Sequence, residues 1–177
     1  HPPPEFDRII GIELRPRVAG VARQALNGDA EIVAADIRSQ PLAGCRTVLF
    51  FDVLHMMPRD EQEALIAATA AALEPGGVML VREADASAGW RFTAVRLGNS
   101  LKAIALGSWT QRFHFRTPGE WLACFAGHGL SAELRPMGNR AFANVLIRVT
   151  KPDRRRSPRS TTEFTEITVS ERNDSLS

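Results

Sequence analysis

The segment from residue 48 to residue 81 constrains the fold of this chain more than any other. An apolar run at 47–53 precedes an Ala- and Leu-rich stretch at 58–73, and a second apolar run at 78–83 follows Pro75-Gly76-Gly77. Short apolar runs bounded by turn residues are typical of buried strands, and the longer Ala-rich stretch with proline at its start is typical of a helix. A strand, a helix and a strand at this spacing predict one crossover unit of a parallel sheet.

The flanking sequence continues the alternation and ends in a different motif. The first helix carries Val18, Val21, Ala22 and Ala25 on one apolar face. The connection at 136–142 is too short for a crossover and favours an antiparallel hairpin. We predict an α/β fold, with a Rossmann-like, mostly parallel sheet, helices on both faces and an antiparallel C-terminal hairpin. The further elements are strands at 9–13, 31–36, 130–135 and 143–149 and helices from Pro16 to about Asn27, at about 93–106 and from Thr117-Pro118-Gly119-Glu120 to about Gly127.

Composition limits the domain organisation and the partners. The 177 residues are 44% apolar, which fits one domain at 1–150, whereas the basic and polar stretch 151–177 reads as a disordered tail. Lys and Arg number 22 against 20 acidic residues, so the charge gives no argument for nucleic acid. Neither a membrane-length apolar run nor a secretory signal is visible, and Cys45 and Cys124 read as separate thiols. We expect a cytoplasmic protein with a small-molecule partner, and the oligomeric state stays open.

With its elements placed, the pattern resembles the class I S-adenosylmethionine-dependent methyltransferases. The likeness is to small bacterial members that act on metabolites, and it covers roughly residues 6–150. It rests on five stretches, which are Ile10-Gly11-Ile12-Glu13, Ala35-Asp36-Ile37, Phe51-Asp52-Val53-Leu54-His55-Met56-Met57-Pro58, Leu73-Glu74-Pro75-Gly76-Gly77 and the hairpin after Phe115-Arg116-Thr117-Pro118.

The resemblance implies S-adenosyl-L-methionine as cofactor and gives roles to acids at strand ends. Glu13 matches the acid that holds the ribose hydroxyls, and Asp36 matches the acid that reads the adenine amino group, with Ile37 packed on the ring. Phe51 and Asp52 match the strand end beneath the methionine portion. An acid at a strand end is also often a helix cap or a solvated loop residue, and that alternative stays open.

The resemblance also implies where the methyl acceptor binds. His55 and His114 are the candidate bases, needed where the acceptor is a hydroxyl of high pKa. A cluster at 90–121 matches the lid that family members build over an aromatic or amphipathic acceptor, and an equally good interpretation is a hydrophobic cover on the sheet. Its candidate acceptor-binding residues are Trp90, Arg91, Trp109 and Arg112, and Arg116 is a further candidate for a negative group. No ligand spacing suggests a metal.

One family element has no counterpart in the sequence. Members begin with a strand and a Gly-x-Gly-x-Gly loop, and Gly11, Gly20 and Gly28 do not have that spacing. The first βα unit of the family is thus absent from these residues. In the family topology that strand lies between the strands at 9–13 and 47–53, so its absence leaves two apolar strand edges unpaired. Either the missing unit exists in the parent protein, or the remaining strands close up in a distorted sheet. We expect the 177 residues alone to bind the cofactor poorly or not at all, which would leave them inactive, and expect their open edges to favour self-association.

Two alternative functions remain open at this point. A nicotinamide-dependent Rossmann oxidoreductase also carries an acid at the end of its second strand, although the Asp52-Val53-Leu54-His55 strand end and the terminal hairpin argue against it. A non-catalytic remnant or interaction module of the methyltransferase fold is favoured by the missing glycine-rich loop.

Overall fold

The computed structural model describes residues 7–42, 44–88, 113–137 and 144–153. They form an α/β fold in which one helix connects the first two strands, a second helix connects the next two, and a third helix precedes the last two strands. The helices are α1 (Pro16–Leu26), α2 (Arg59–Ala72) and α3 (Pro118–Gly127), and short 3-10 turns lie at Ile37–Ser39 and Leu54–Met56. The strands are β1 (Ile10–Glu13), β2 (Glu31–Ala34), β3 (Cys45–Phe51), β4 (Leu73–Ala84), β5 (Ser131–Pro136) and β6 (Asn144–Thr150).

These strands form two sheets, and both sequence-predicted pairings are confirmed. β1 and β2 form a parallel pair, and the other sheet has the order β3-β4-β6-β5. β3 and β4 are parallel and joined by α2, as a crossover unit requires. β6 runs antiparallel to both β4 and β5, so the C-terminal pair is the predicted hairpin, inserted with β6 next to β4.

The edges of β1 and β3 stay open among the described residues. There β1 bonds only to β2, and β3 bonds only to β4. The two strands therefore do not close up on each other, which was one of the two outcomes the sequence left open. Apolar side chains next to these edges are exposed, among them Ile10 at 48% and Leu49 at 55%.

Two predicted strands end earlier than the apolar runs suggest. β2 stops at Ala34 because Asp36 turns the chain, its carboxylate accepting a hydrogen bond from the N–H of Arg38 at 3.0 Å. β3 stops at Phe51 because Asp52 has a φ of +57°, a left-handed conformation that no strand continues through.

The junction of α2 and β4 also differs from the prediction. α2 ends at Ala72 and β4 begins at Leu73, so Pro75-Gly76-Gly77 lies inside the strand rather than before it. The register with β3 shifts here, with β4 advancing from 73 to 78 while β3 advances from 45 to 47. Gly76 has a φ of +78°, and a Cβ on Gly77 would lie 2.8 Å from the carbonyl oxygen of Glu74. Glycine is needed at both positions to fit the extra residues into the strand.

One face of the four-stranded sheet carries the core. Alternate residues of β4 point to this face, where α2 and α3 cover them. The contacting side chains are Leu65 and Ile66 from α2, Trp121 and Phe125 from α3, Met79 and Val81 from β4, and Ile147 and Val149 from β6. Cys45 and Cys124 lie in β3 and α3 and form no disulfide.

The predicted apolar face of α1 is largely exposed in the described part of the chain. Val21 is 65% exposed and Val18 is 39% exposed, and Ala19 is the buried residue of the helix. The predicted helix at about 93–106 and nearly all of the predicted tail at 151–177 lie outside the described residues. No helix of the described part of the chain is long and apolar enough to span a membrane.

Candidate functional site

The candidate site is built where β3 ends. After Asp52, which has a left-handed backbone conformation, the chain forms the 3-10 turn Leu54–Met56. This turn places His55 at the carboxyl ends of the parallel strands β3 and β4. Open α/β sheets bind ligands at this edge. The turn is anchored inward by Leu54, which is fully buried in the core.

A buried carboxylate orients His55. The Nδ1 atom of His55 lies 2.6 Å from Oε2 of Glu83, and the N–H of Leu54 donates to Oε1 of the same side chain at 2.8 Å. The Glu83 side chain is 1% exposed and that of His55 is 8% exposed. Against an ionised carboxylate, which only accepts hydrogen bonds, Nδ1 is the donor, and in a neutral imidazole this tautomer leaves the lone pair on Nε2.

The second ring nitrogen of His55 has no hydrogen bond to the described residues. The Nδ1 contact with Glu83 is the hydrogen bond that the His55 ring makes within the described part of the chain. The pair thus presents one oriented imidazole nitrogen that can accept a proton.

An aromatic wall lies against His55. The Phe115 ring stacks on the imidazole at 4.7 Å between centroids and 11° between planes, and the Phe113 ring lies at 5.7 Å and 45°. The N–H of His114 donates to the carbonyl of His55 at 2.8 Å. His114, the second predicted base, therefore meets His55 through its backbone, and its imidazole has no contact with the imidazole of His55 among the ring contacts of the described residues.

The prediction that Arg116 is available to an acidic acceptor is wrong. Arg116 is 5% exposed, and its Nε donates to Oε1 of Gln62 at 2.7 Å while another nitrogen donates to Oε1 of Glu63 at 2.8 Å. Its guanidinium also lies over the Trp121 ring at 5.3 Å. Arg116 therefore holds residues 113–117 on α2 and does not face the site.

Phe51 and Asp52 lie at the same strand end but are engaged with Arg82 of β4. Asp52 forms an ion pair with Arg82, and its N–H donates to the Arg82 carbonyl at 2.9 Å. The Arg82 guanidinium stands over the Phe51 ring at 5.1 Å. This cluster is on the opposite face of β4 from Glu83, since residues 82 and 83 point to opposite sides of a strand.

Glu13 and Asp36 occupy one edge of the parallel pair β1-β2. Glu13 is paired with Ala34 in the register, and the N–H of Ala35 donates to the Glu13 carbonyl at 3.1 Å, so Asp36 follows directly beyond the same edge. The Arg15 guanidinium lowers the pKa of Glu13, and the Arg38 guanidinium lowers the pKa of Asp36. Each acid also accepts the N–H of that arginine at 3.0 Å, and in the case of Asp36 this bond caps the 3-10 turn that follows.

A cleft of about 430 Å³ opens beside Asp36 and Ile37. Its other wall is α2, which contributes Glu61, Ala64, Leu65 and Ala68, so a mostly apolar surface faces the two predicted cofactor residues. Glu13 is not among the residues that line this cleft. The two acids are therefore neighbours at one edge without sharing this pocket.

The residue that the sequence analysis missed is Glu83. Alternation along β4 places it on the face of Met79 and Val81, and a charged residue on an otherwise apolar strand face is a recognisable signal of a buried polar partner. Among the described residues, no group of three or more His, Cys, Asp or Glu side chains is placed to hold a metal. The predicted acceptor residues Trp90, Arg91, Trp109 and Arg112 lie outside the described residues.

Comparison with known proteins agrees with the α/β fold. No protein-family model matches the chain. A carboxy-S-adenosyl-L-methionine synthase from Chromohalobacter salexigens is 30% identical over 86 residues, which is 46% of this chain and 32% of that protein. The chain thus spans about a third of the length of the curated relative it matches.

Solved methyltransferase structures superpose on most of the chain. An O-methyltransferase family 2 protein from Planctomyces limnophilus, in complex with apigenin, has a TM-score of 0.61 and 25% identity over 81% of this chain and 42% of that chain. Human N-acetylserotonin methyltransferase, in complex with SAM, has a TM-score of 0.63 and 19% identity over 82% of this chain and 41% of that chain. Magnesium protoporphyrin IX methyltransferase from Synechocystis, with bound SAH, has a TM-score of 0.61 and 15% identity over 81% of this chain and 64% of that chain.

Proposed function

We propose that this chain, which has the fold of the class I S-adenosylmethionine-dependent methyltransferases, transfers a methyl group from S-adenosyl-L-methionine to a hydroxyl of an aromatic small molecule. The observation that carries the proposal is the His55–Glu83 pair, with Nδ1 held at 2.6 Å by a buried carboxylate and no hydrogen bond from Nε2 to another described residue. Such a pair suits an acceptor that must lose a proton, and an aromatic hydroxyl is that kind of acceptor.

The residues at the edge of β1-β2 fit the adenosyl half of the cofactor. Glu13 and Asp36 follow neighbouring parallel strands, and Asp36 and Ile37 face the apolar cleft against α2. We assign Glu13 to the ribose hydroxyls and Asp36 with Ile37 to the adenine, and we assign Phe51 and Asp52 to the methionine portion. Since arginines already occupy the carboxylates of Glu13, Asp36 and Asp52, each acid has to share its remaining acceptor positions with the cofactor.

His55 is the proposed general base. When bound, the cofactor supplies an electrophilic methyl carbon on a sulfonium. The Nε2 lone pair of His55 accepts the hydroxyl proton as the acceptor oxygen attacks, and the resulting imidazolium is stabilised by the Glu83 carboxylate at Nδ1. The stacked Phe115 ring keeps the imidazole plane fixed. His114 is the alternative base within this proposal.

The aromatic surroundings of His55 suggest the acceptor class. Phe113 and Phe115 line the imidazole, and planar rings pack well against such walls. The O-methyltransferase from Planctomyces limnophilus was solved with apigenin, a ligand of that protein. We assign Trp90, Arg91, Trp109 and Arg112 to the far side of the same acceptor site. A cytoplasmic location completes the proposal, in keeping with a sequence whose two cysteines, Cys45 and Cys124, lie far apart in different elements.

The test is a transfer assay with labelled S-adenosyl-L-methionine and a panel of phenols and flavonoids. We expect His55→Gln to lower kcat by about 10²–10⁴-fold, since a general base supplies that much. Glu83→Gln keeps the shape but removes the charge that stabilises the imidazolium, so it lowers kcat less than His55→Gln. His128→Gln is the matched control, because His128 lies at the end of α3. Full activity of His55→Gln would exclude the base role, and no transfer to any acceptor would count against the proposed function.

A non-catalytic module of the same fold is the second candidate. It is favoured by the open edges of β1 and β3 in the described residues and by the arginines on Glu13 and Asp36. Calorimetric titration with S-adenosylhomocysteine can exclude the module: low-micromolar binding favours the enzyme and overturns the expectation that these 177 residues bind poorly. No binding at millimolar ligand agrees with that expectation and with the module.

A further inference from the structure

Gln62 is a buried polar residue of α2 whose side chain faces the segment Phe113–Arg116. It lies in the first turns of α2 and is 0% exposed. Its Nε2 donates to the carbonyl of Met57 at 3.1 Å and to the carbonyl of His114 at 2.8 Å, while its Oε1 accepts from Nε of Arg116 at 2.7 Å. Both donors of the amide are therefore satisfied, and these partners settle which end of the amide is nitrogen.

These bonds join the two segments that surround the imidazole. Met57 follows directly after the turn that carries His55, and His114 lies between the two phenylalanines of the aromatic wall. The N–H of His114 bonds to the His55 carbonyl, so His114 is held through its N–H by the turn and through its carbonyl by Gln62. The side-chain amide of Gln62 thus acts like one more peptide group between the turn and the wall.

We propose that Gln62 is a positioning residue that locks the Phe113–Arg116 segment onto the His55 turn and so fixes the imidazole between Glu83 and Phe115. The proposal rests on the function assigned to His55 above, but its structural part is independent of activity. Glu83 fixes one ring nitrogen, which still allows the ring to tilt about that bond. The parallel stack of Phe115 at 4.7 Å removes the tilt, and the stack exists only while residues 113–116 stay in place.

Two substitutions separate this role from simple burial. Gln62→Met keeps an unbranched side chain of similar volume and removes all three hydrogen bonds. Gln62→Glu keeps an acceptor for Arg116 but turns an oxygen toward the carbonyls of Met57 and His114. A residue that only serves Arg116 tolerates the glutamate, whereas a residue that joins the two segments does not.

Thr69→Val is the matched control. Thr69 lies seven residues further along α2, is also 0% exposed, and donates to the carbonyl of Leu65 at 2.7 Å within the helix. Its replacement removes a buried hydrogen bond from the same helix without reaching either segment at the imidazole.

The first readout is NMR of the full chain with ¹⁵N-labelled histidine, with His55 assigned by the signals lost in His55→Gln. We expect wild type and Thr69→Val to show one tautomer protonated on Nδ1 and ring protons shifted upfield by Phe115. In Gln62→Met and Gln62→Glu the upfield shift falls to the value in Phe115→Leu, and signals of both tautomers appear. In the transfer assay both variants lower kcat about tenfold or more while KM for the methyl donor stays within about twofold, since misplaced groups lose rate rather than affinity.

The outcomes distinguish this proposal from the proposed function. If wild type transfers no methyl group, the proposed function fails and the NMR signals alone decide the role of Gln62. Retention of the single tautomer and the upfield shift in both variants would overturn the positioning role. Failure of both variants to fold while Thr69→Val folds would overturn it as well, because Gln62 would then hold the fold and not the imidazole.

Discussion

The β1–α1–β2 unit and the β3–α2–β4 unit have the same local design and very different burial. Each is a parallel strand pair joined by a helix. The second unit contributes Leu65, Ile66 and Val81 to a core in which all three are 5% exposed or less. In the first, Ala19 is fully buried, but Val21 of the same helix is 65% exposed.

The difference shows that the spacing of apolar residues in the sequence indicates which face of a helix is apolar. It does not indicate whether other parts of the chain pack on that face. α2 packs in a layer that α3 completes, and β6 extends the strand surface beneath both. Among the described residues, α1 has only β1 and β2 as its strand layer, and β1 has an open edge. Apolar burial supplies most of the stability of a fold, so the second unit is expected to carry most of it here.

The largest expected loss of unfolding free energy comes from truncating a side chain in the core. Phe125 of α3 is 0% exposed and stacks on Trp121 at 5.9 Å between centroids. We expect Phe125→Ala to cost about 3–5 kcal/mol of unfolding free energy, through lost burial and the cavity that remains. Urea denaturation followed by tryptophan fluorescence measures it, and Phe125→Leu gives a smaller loss of about 1 kcal/mol if the alanine variant does not fold.

Val21→Ala is the matched change in the first unit. Because this side chain is 65% exposed, its truncation should alter the unfolding free energy by no more than about 0.5 kcal/mol. A loss comparable to that of Phe125→Ala would show that the apolar face of α1 is covered in solution, and the comparison between the two units would then fail.

The helix ends give a second, smaller contrast. α1 ends on Asn27, which is in the left-handed conformation with a φ of +45°, and its cap is a local backbone bond. α2 ends beside Lys151, the residue after β6, whose Nζ donates to the carbonyls of Ala70 at 2.8 Å and Leu73 at 2.6 Å. A cation at a helix C-terminus satisfies unpaired carbonyls and favours the helix dipole.

We therefore expect Lys151→Met to cost about 1–2 kcal/mol, since charged hydrogen bonds to part-buried carbonyls are lost. Asn27→Gly should change stability by only a few tenths of a kcal/mol, because glycine adopts the same left-handed conformation. Chemical denaturation of both variants beside Arg148→Met, an exposed change on β6, makes the measurement. Equal losses for Lys151→Met and Arg148→Met would indicate that the cap does not matter.

Much of the fold was predictable because local signals agree with tertiary structure in it. Apolar runs, Pro16, and the capping box of Thr117 and Glu120 placed strands and helices within a few residues. The errors in the predicted strand ends occur where a single side chain or backbone angle ends the strand. Asp36 caps a turn after β2, and Asp52 adopts a left-handed conformation after β3. The sequence does not show in advance that a strand will absorb Pro75-Gly76-Gly77 as a bulge.

The site was predictable only in part, and for a related reason. His55 could be named from its place after an apolar strand. Its partner Glu83 is 28 residues away in sequence, and the pairing requires the register of β3 with β4. Arg116 forms a hydrogen bond with Gln62, which is 54 residues away in sequence. This contact gives Arg116 a structural role, whereas the sequence suggested ligand binding. Contacts of this separation follow from packing and have no local signature.

The smallest expected effect is a difference between the two units in how their unfolding free energy depends on pH. Glu120 caps α3 and pairs with Arg59, which lies 61 residues away, and this lowers the pKa of Glu120 to about 2. The Glu13–Arg15 pair also lowers the pKa of its carboxyl, but these residues are two apart and can meet in the unfolded chain as well. Only the long-range pair should therefore make folding depend strongly on carboxylate charge.

The folded pKa of Glu120 lies below its ordinary value of 4.5, so its stabilisation is present above about pH 4.5 and is lost as the pH falls toward about 2. Because 39% of the side chain is exposed, solvent screens the pair, and we expect Glu120→Gln to cost only about 0.5 kcal/mol at neutral pH. Urea midpoints measured from pH 7 to pH 2 should fall less steeply for Glu120→Gln than for wild type, while Glu13→Gln should follow the wild-type curve. If Glu13→Gln flattened the curve as much as Glu120→Gln, the β1–α1–β2 unit would contribute to the cooperative fold as much as the packed one does.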